Sequence, residues 1–231
     1  MSADIVGIIQ TALIVAIPII IAITFHEAAH GFVAWRLGDD TAYRLGRVTF
    51  NPLKHIDPFG TIILPTLLYL TTGFMFGYAK PVPVNFRRLR NPRRDMVLVA
   101  AAGPGINLVL AVVSALALHL VPHRDSTLVA IIYVILFRSV FLNIILAVFN
   151  MIPLPPLDGG RVAVGLLPYP LSHYLARLER QGMMVLILAL IVLPWIGAQF
   201  GMDLHIVQWI IGPVAEHIQD FIFRITGHAA G

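Results

Sequence analysis

Residues 5–35 read IVGIIQTALIVAIPIIIAITFHEAAHGFVAW, an apolar run interrupted by His26, Glu27 and His30. Up to Phe25 the polar content is Gln10, Thr11 and Thr24, with no ionised group. A membrane-spanning helix needs about 20 such residues, so the stretch predicts a span. A charged side chain at the centre of a span costs about 2.5 to 3.5 kcal/mol on insertion scales, which makes the ionisable groups here functional candidates. Two histidines four apart share one helical face, with Cβ atoms about 5 to 6 Å apart. Both rings can then reach one ion. Glu27, about a quarter turn away, can address a metal-bound water without ligating the metal. The competing reading is a pair of neutral histidines and a protonated Glu bonded between helices.

The rest of the chain has the same character. With 58% hydrophobic and 12% charged residues and a mean hydropathy of +0.84, it is not an ordinary soluble domain. Further apolar segments cover residues 59–79, 96–121, 128–152 and 183–200. In 206–225, Val207, Ile210, Val214, Ile218, Phe221 and Ile225 recur at helical spacing, with Glu216, His217, Gln219 and Asp220 between them. That pattern predicts an amphipathic helix lying at the interface or against the bundle. The expected fold is an all-α polytopic bundle of about four to six transmembrane or re-entrant helices. It is expected to form one membrane-embedded domain over 1–231, with a core near 5–165, C-terminal helices near 183–225 and no separate soluble domain. No cysteine is present, which excludes disulfides and thiolate zinc ligands. The opening Met1-Ser2-Ala3-Asp4 lacks the basic region of a signal peptide.

The net charge of +4 does not point to nucleic acid, because the basic residues cluster beside apolar segments, where they face anionic lipid. Residues 36–58, 80–94 and 161–182 together hold 13 of the 16 Lys and Arg. One side of a membrane accommodates all three groups if 59–79 enters and returns as a re-entrant element, and Pro65, Gly73 and Gly77 permit such a break. That side is then cytoplasmic, with the N-terminus outside. His30 precedes Arg36 by six residues, about 9 Å of helix, which places the motif inside the membrane near its cytoplasmic face.

A catalytic zinc usually takes three protein ligands and a water. No third histidine stands at the spacing of an extended HExxHxxGxxH motif, since position 36 is Arg, and the other Glu residues, Glu179 and Glu216, lie in polar or amphipathic surroundings. Asp158 lies in NMIPLPPLDGG, residues 150–160. Three prolines stop the helix there and two glycines allow an irregular turn that could swing the carboxylate towards another helix. The alternative is an interfacial turn in which Asp158 caps the next helix.

Together, HEAAH, Ala102-Gly103-Pro104-Gly105-Ile106-Asn107 and residues 150–160 resemble the three signature regions of the site-2 protease family, the intramembrane zinc metalloproteases. Asn51-Pro52-Leu53-Lys54-His55 and Ala79-Lys80-Pro81-Val82-Pro83-Val84-Asn85 are similar to segments of its compact prokaryotic members. The resemblance implies His26, His30 and Asp158 as ligands of one zinc ion per chain and Glu27 as the catalytic carboxylate. It also implies a multi-pass protein of a prokaryotic cytoplasmic membrane whose substrates are transmembrane proteins. PDZ-like or CBS-like domains do not fit into the chain, and the apolar 59–79 stretch sets the first motif apart from the second.

Cleavage of a helical substrate requires local unwinding, because its carbonyls are engaged in the helix ladder. Tyr43, Leu45, Val48 and Phe50 alternate loosely over 42–50 and predict a small β element after the first helix. In the resembling family an edge of this kind receives the substrate as an added strand; an ordinary hairpin is equally compatible. Asn107 either donates to a developing oxyanion or bonds between helices beside Gly103 and Gly105. His55 and Asp57 read as loop-forming and capping residues, and Asn143 as helix-packing glue. Arg138 snorkels, pairs, or marks a later start to its span. His119, His123, His205, His217 and His228 read as interfacial.

The expected activity is zinc-dependent hydrolysis of peptide bonds within or next to transmembrane segments. A non-proteolytic zinc scaffold and a metal transporter are the rivals. The intact Glu27 opposes the first, and the few polar groups in the other segments oppose the second.

Overall fold

In lipid a chain satisfies its backbone polar groups by winding into helices, and the apolar runs here do so. The computed structural model describes residues 2–63, 79–122 and 126–228. The helices are α1 (Ser2–Arg36), α2 (Thr41–Arg44), α3 (Pro92–Leu118), α4 (Thr127–Asn150), α5 (Asp158–Leu166), α6 (Leu171–Arg177), α7 (Glu179–Ile187), α8 (Leu193–Gln199) and α9 (Ile206–Ile225). A π-helical stretch, Leu188–Val192, joins α7 to α8. Among the described residues, four helical stretches are long and apolar enough to cross a membrane: Ile14–Arg36, Pro92–Leu118, Thr127–Asn150 and Gln181–Gln199. The protein is therefore an all-α, multi-pass membrane protein.

Helix α3 is central, packing on α1, α4 and α5. Small residues line these contacts. Ala22, Ala28 and Ala34 on α1, and Ala100, Ala111 and Ala115 on α3, are buried. Without a hydrophobic driving force between helices in lipid, such residues let backbones approach and gain packing. Ala111, Ala115, Val140 and Ile144 form one cluster with Ile211, Ala215 and Ile222 of α9. Helix α9 thus packs on the bundle. Its buried stripe is displaced from the expected one, because Ile210, Val214, Phe221 and Ile225 stay exposed. The apolar arc of α9 is wider than the groove it fills, so one edge is left facing outward.

The small β element is not found: no residue among those described is in a strand. The buried Asp39 carboxylate sets this region instead. Its Oδ1 accepts from the Thr41 N–H at 3.1 Å, starting α2, and its Oδ2 accepts from the Asn85 N–H at 2.6 Å. Gly46, at φ +62, then turns the chain. The aromatic side chains of the expected strand pair with α1 rather than alternate, Tyr43 stacking on Trp35 at 4.5 Å and Phe50 on Phe25 at 4.4 Å. Of the segment 59–79, expected to be re-entrant, residues 59–63 belong to a π-helical turn, Pro58–Ile63, and residues 64–78 lie outside the described residues.

Candidate metal centre

The Asn150–Gly160 loop brings Asp158 to α1. Helix α4 ends at Asn150, and α5 starts on Asp158 itself. The two glycines that follow are required by close approach. A Cβ on Gly159 would lie 2.2 Å from the Met151 carbonyl oxygen, and one on Gly160 would lie 2.2 Å from the Pro155 nitrogen. This tight first turn aims the Asp158 carboxylate at α1, where Oδ2 lies 3.1 Å from His26 Nε2 and 3.3 Å from His30 Nε2. All three side chains are buried. Of the alternatives open for Asp158, the geometry places it with the histidines.

Each imidazole is held through its other nitrogen. His30 Nδ1 donates to the Val99 carbonyl at 2.7 Å, and His26 Nδ1 donates to Asn107 Oδ1 at 2.6 Å. Their Nε2 lone pairs therefore converge on Asp158 Oδ2, which is buried and accepts no hydrogen bond. Three acceptor atoms within 4.8 Å of one another call for a cation or a shared proton at their centre. Ligand atoms around a tetrahedral zinc with bonds of about 2.0 to 2.1 Å stand about 3.3 Å apart, so these residues fit zinc.

Gly103 forms a wall of the centre. A Cβ there would come 2.4 Å from His30 Nε2 and 2.6 Å from His26 Nε2, so α3 can approach this closely only with glycine. Glu27, half-buried, lies next to His26 on α1, and its Oε2 accepts from the Val82 N–H at 2.7 Å. Val82 stands between Pro81 and Pro83, which have no N–H, so its amide is the donor that this stretch can offer. The loop is itself anchored, with Arg47 donating to the Lys80 carbonyl at 2.8 Å and the Lys80 N–H to the His55 carbonyl at 2.9 Å.

Asn107 is brought to the centre, but its amide hydrogens are engaged by the Ala22 carbonyl at 3.2 Å and Asn143 Oδ1 at 2.9 Å. That supports its interhelical reading over donation to an oxyanion. Asp57 accepts from the Gly60 N–H at 2.7 Å. Neither Val82 nor the wall-forming role of Gly103 was read from the sequence. The proline-flanked valine was a usable signal for the first; an inward-facing glycine in an apolar helix was one for the second.

A buried cation site with a carboxylate beside it, on apolar helices, is the arrangement of a membrane metallohydrolase. A family model described as Peptidase family M50 matches residues 14–124 and 118–194. "Putative zinc metalloprotease YwhC" of Bacillus subtilis is 42% identical over 182 residues, covering 77% of this chain and 80% of that protein. "Putative zinc metalloprotease Rip2" of Mycolicibacterium smegmatis is 31% identical over 173 residues, covering 74% and 64%, and its Mycobacterium tuberculosis namesake is 30% identical over 140 residues, covering 61% and 52%. No solved structure matches significantly. The chain belongs to Peptidase family M50, the site-2 protease family, and is a zinc metalloprotease.

Proposed function

We propose that this protein cleaves peptide bonds within or next to transmembrane segments of other membrane proteins, with His26, His30 and Asp158 holding zinc and Glu27 as general base. The observation that carries this reading is the convergence of three acceptor atoms on a helix that spans from Ile14 to Arg36. His30 lies six residues from Arg36, and the basic 36–58 and 80–94 segments adjoin the same end, which supports a site near the cytoplasmic face.

When bound, zinc lowers the pKa of its water towards about 7 and polarises the scissile carbonyl. The remaining work falls to side chains. Glu27 Oε2 is occupied by the Val82 amide, which leaves Oε1 to take the proton of the attacking water and pass it to the leaving amine. Partial exposure of Glu27 gives water a way in. Gly103 and the buried histidines keep the metal side of the centre narrow, so ligand positions are held before substrate arrives.

The test is zinc analysis of the purified protein together with cleavage of a panel of single-span membrane substrates. Glu27→Gln is expected to keep zinc and lose cleavage by about 100-fold or more, while Asp158→Ala weakens zinc retention. Full proteolysis by Glu27→Gln would sink the assigned mechanism. Undiminished zinc affinity in Asp158→Ala would remove that residue from the ligand set, and cleavage confined to soluble peptides would overturn the substrate class.

A further inference from the structure

Asn107 on α3 and Asn143 on α4 are fully buried in helices that read as membrane spans. No water stands by there to complete an unmade hydrogen bond. Their bonds form a directed chain. Asn107 Nδ2 donates to the Ala22 carbonyl and to Asn143 Oδ1, and Asn143 Nδ2 donates to the Ser139 carbonyl at 2.9 Å. The same nitrogen lies 3.2 Å from Ser139 Oγ, which is 2.8 Å from Ser114 Oγ.

A main-chain carbonyl only accepts, so Ala22 and Ser139 each decide which end of an amide is its nitrogen. With both amides oriented, Asn107 Oδ1 has to face His26 Nδ1, at 2.6 Å, as an acceptor. The neutral His26 proton is thereby fixed on Nδ1, and the Nε2 lone pair faces Asp158 Oδ2. A flipped Asn107 would instead turn its NH₂ towards Nδ1 and move the ring proton to Nε2, onto the face where a cation must sit. It would also set Asn107 Oδ1 against Asn143 Oδ1 and the Ala22 carbonyl. His30 reaches the same tautomer through the Val99 carbonyl alone.

We propose that Asn143 is a positioning residue for the metal centre, acting through Asn107 to hold His26 in the tautomer that presents Nε2 to zinc. The proposal rests on the reading of His26 as a zinc ligand. Partners that orient a metal-binding histidine typically change metal affinity about 10- to 100-fold when lost, and a relay one residue further out acts in the same direction with a smaller effect. Threonine and valine at 143 separate polarity from packing, since they differ by one hydroxyl, and a helical Thr can donate to the carbonyl four residues back while accepting from Asn107.

The experiment measures zinc affinity by chelator competition on the full chain in nanodiscs. The panel is wild type, Asn107→Ala, Asn143→Val, Asn143→Thr, Asn107→Ala with Asn143→Val, and His26→Ala. Nitrogen NMR of the zinc-loaded, histidine-labelled wild type reports the His26 tautomer without any substitution. Asn107→Ala is expected to weaken zinc about tenfold or more. Asn143→Val should weaken it several-fold relative to Asn143→Thr, and the double variant should bind no more weakly than Asn107→Ala alone. The spectrum should show His26 protonated at Nδ1 and metal-bound at Nε2. Equal affinities for Asn143→Val and Asn143→Thr, effects that add in the double variant, or coordination through Nδ1 would each overturn the relay. Wild-type zinc affinity in His26→Ala would instead refute the ligand reading on which it stands.

Discussion

At position 103 a single added methyl group would press on both histidines of the metal centre. The Cβ of an alanine there would fall 2.4 Å from His30 Nε2, whereas at Gly105, two residues on, no atom lies within 4 Å. Overpacking of a filled site costs about 1 to 3 kcal/mol, and here the atoms that must give way are ligand nitrogens. Gly103→Ala is therefore expected to weaken zinc binding by about tenfold or more, while Gly105→Ala keeps it and gains up to about 1 kcal/mol of helix propensity. A competition titration with a zinc chelator on both variants checks this. Equal affinities would show that α3 can retreat without disturbing the histidines. The same scale shows what the sequence disclosed. The grouping of His26, Glu27 and His30 was legible because helical spacing alone puts them together, whereas Asp158, open against a capping role on its residues alone, was named as a ligand through the family resemblance. For Asn107 an interhelical bond was one of two readings, but its partners, His26, Ala22 and Asn143, could not be read, because they depend on which groups face it across two helix interfaces.

The extended segment over residues 79–85 matters to the element scale, because it lies across α1 and donates the Val82 N–H to Glu27 from 55 residues away. A hydrogen bond to a carboxylate contributes about 1.5 to 3 kcal/mol, and this one fixes which oxygen of Glu27 remains free. Val82→Pro removes the donor, and Val82→Ala keeps the donor while trimming the side chain. Cleavage is expected to fall about tenfold or more in Val82→Pro with zinc content unchanged, and to fall far less in Val82→Ala. Matched activities in the two variants would show that Glu27 does not need this amide. Element types were readable where composition governs, as in α1, α3 and α4, whose apolar runs admit no other hydrogen-bonded form in lipid. They were misread at 42–50, where four loosely alternating residues outweighed the turn-forming aspartate before them. Asp39 starts a helical turn there, and Trp35 and Phe25 draw the aromatics onto α1. In α9 the period was right and the buried face was not, since periodicity cannot say which edge of a wide apolar arc meets a neighbour.

For the molecule as a whole, charge asymmetry and helix direction make one joint prediction. Helix α1 ends at Arg36 and α3 begins at Pro92, beside the basic 36–58 and 80–94 segments, so those ends share a side. If α3 crosses, its end at Leu118 and the start of α4 at Thr127 lie across the membrane from them. On the proposed orientation, the excess of Lys and Arg puts the first side in the cytoplasm, and with it the mouth of the metal centre. A chain without cysteine lets this be tested by single introduced thiols, with no background to remove. Lys54, exposed in the basic segment, and Leu120, 84% exposed just past α3, are suitable positions because neither packs on the metal centre. In intact cells a membrane-impermeant thiol reagent is expected to label Leu120→Cys from outside and to reach Lys54→Cys only after the membrane is opened. The reverse pattern would place the catalytic centre near the outer face, and the cut in a substrate would then fall at the opposite end of its span. Labelling of both positions from outside would mean that α3 does not cross, which its 27 apolar-rich residues make costly, since a helix of that length is about 40 Å long against a hydrocarbon core of about 30 Å.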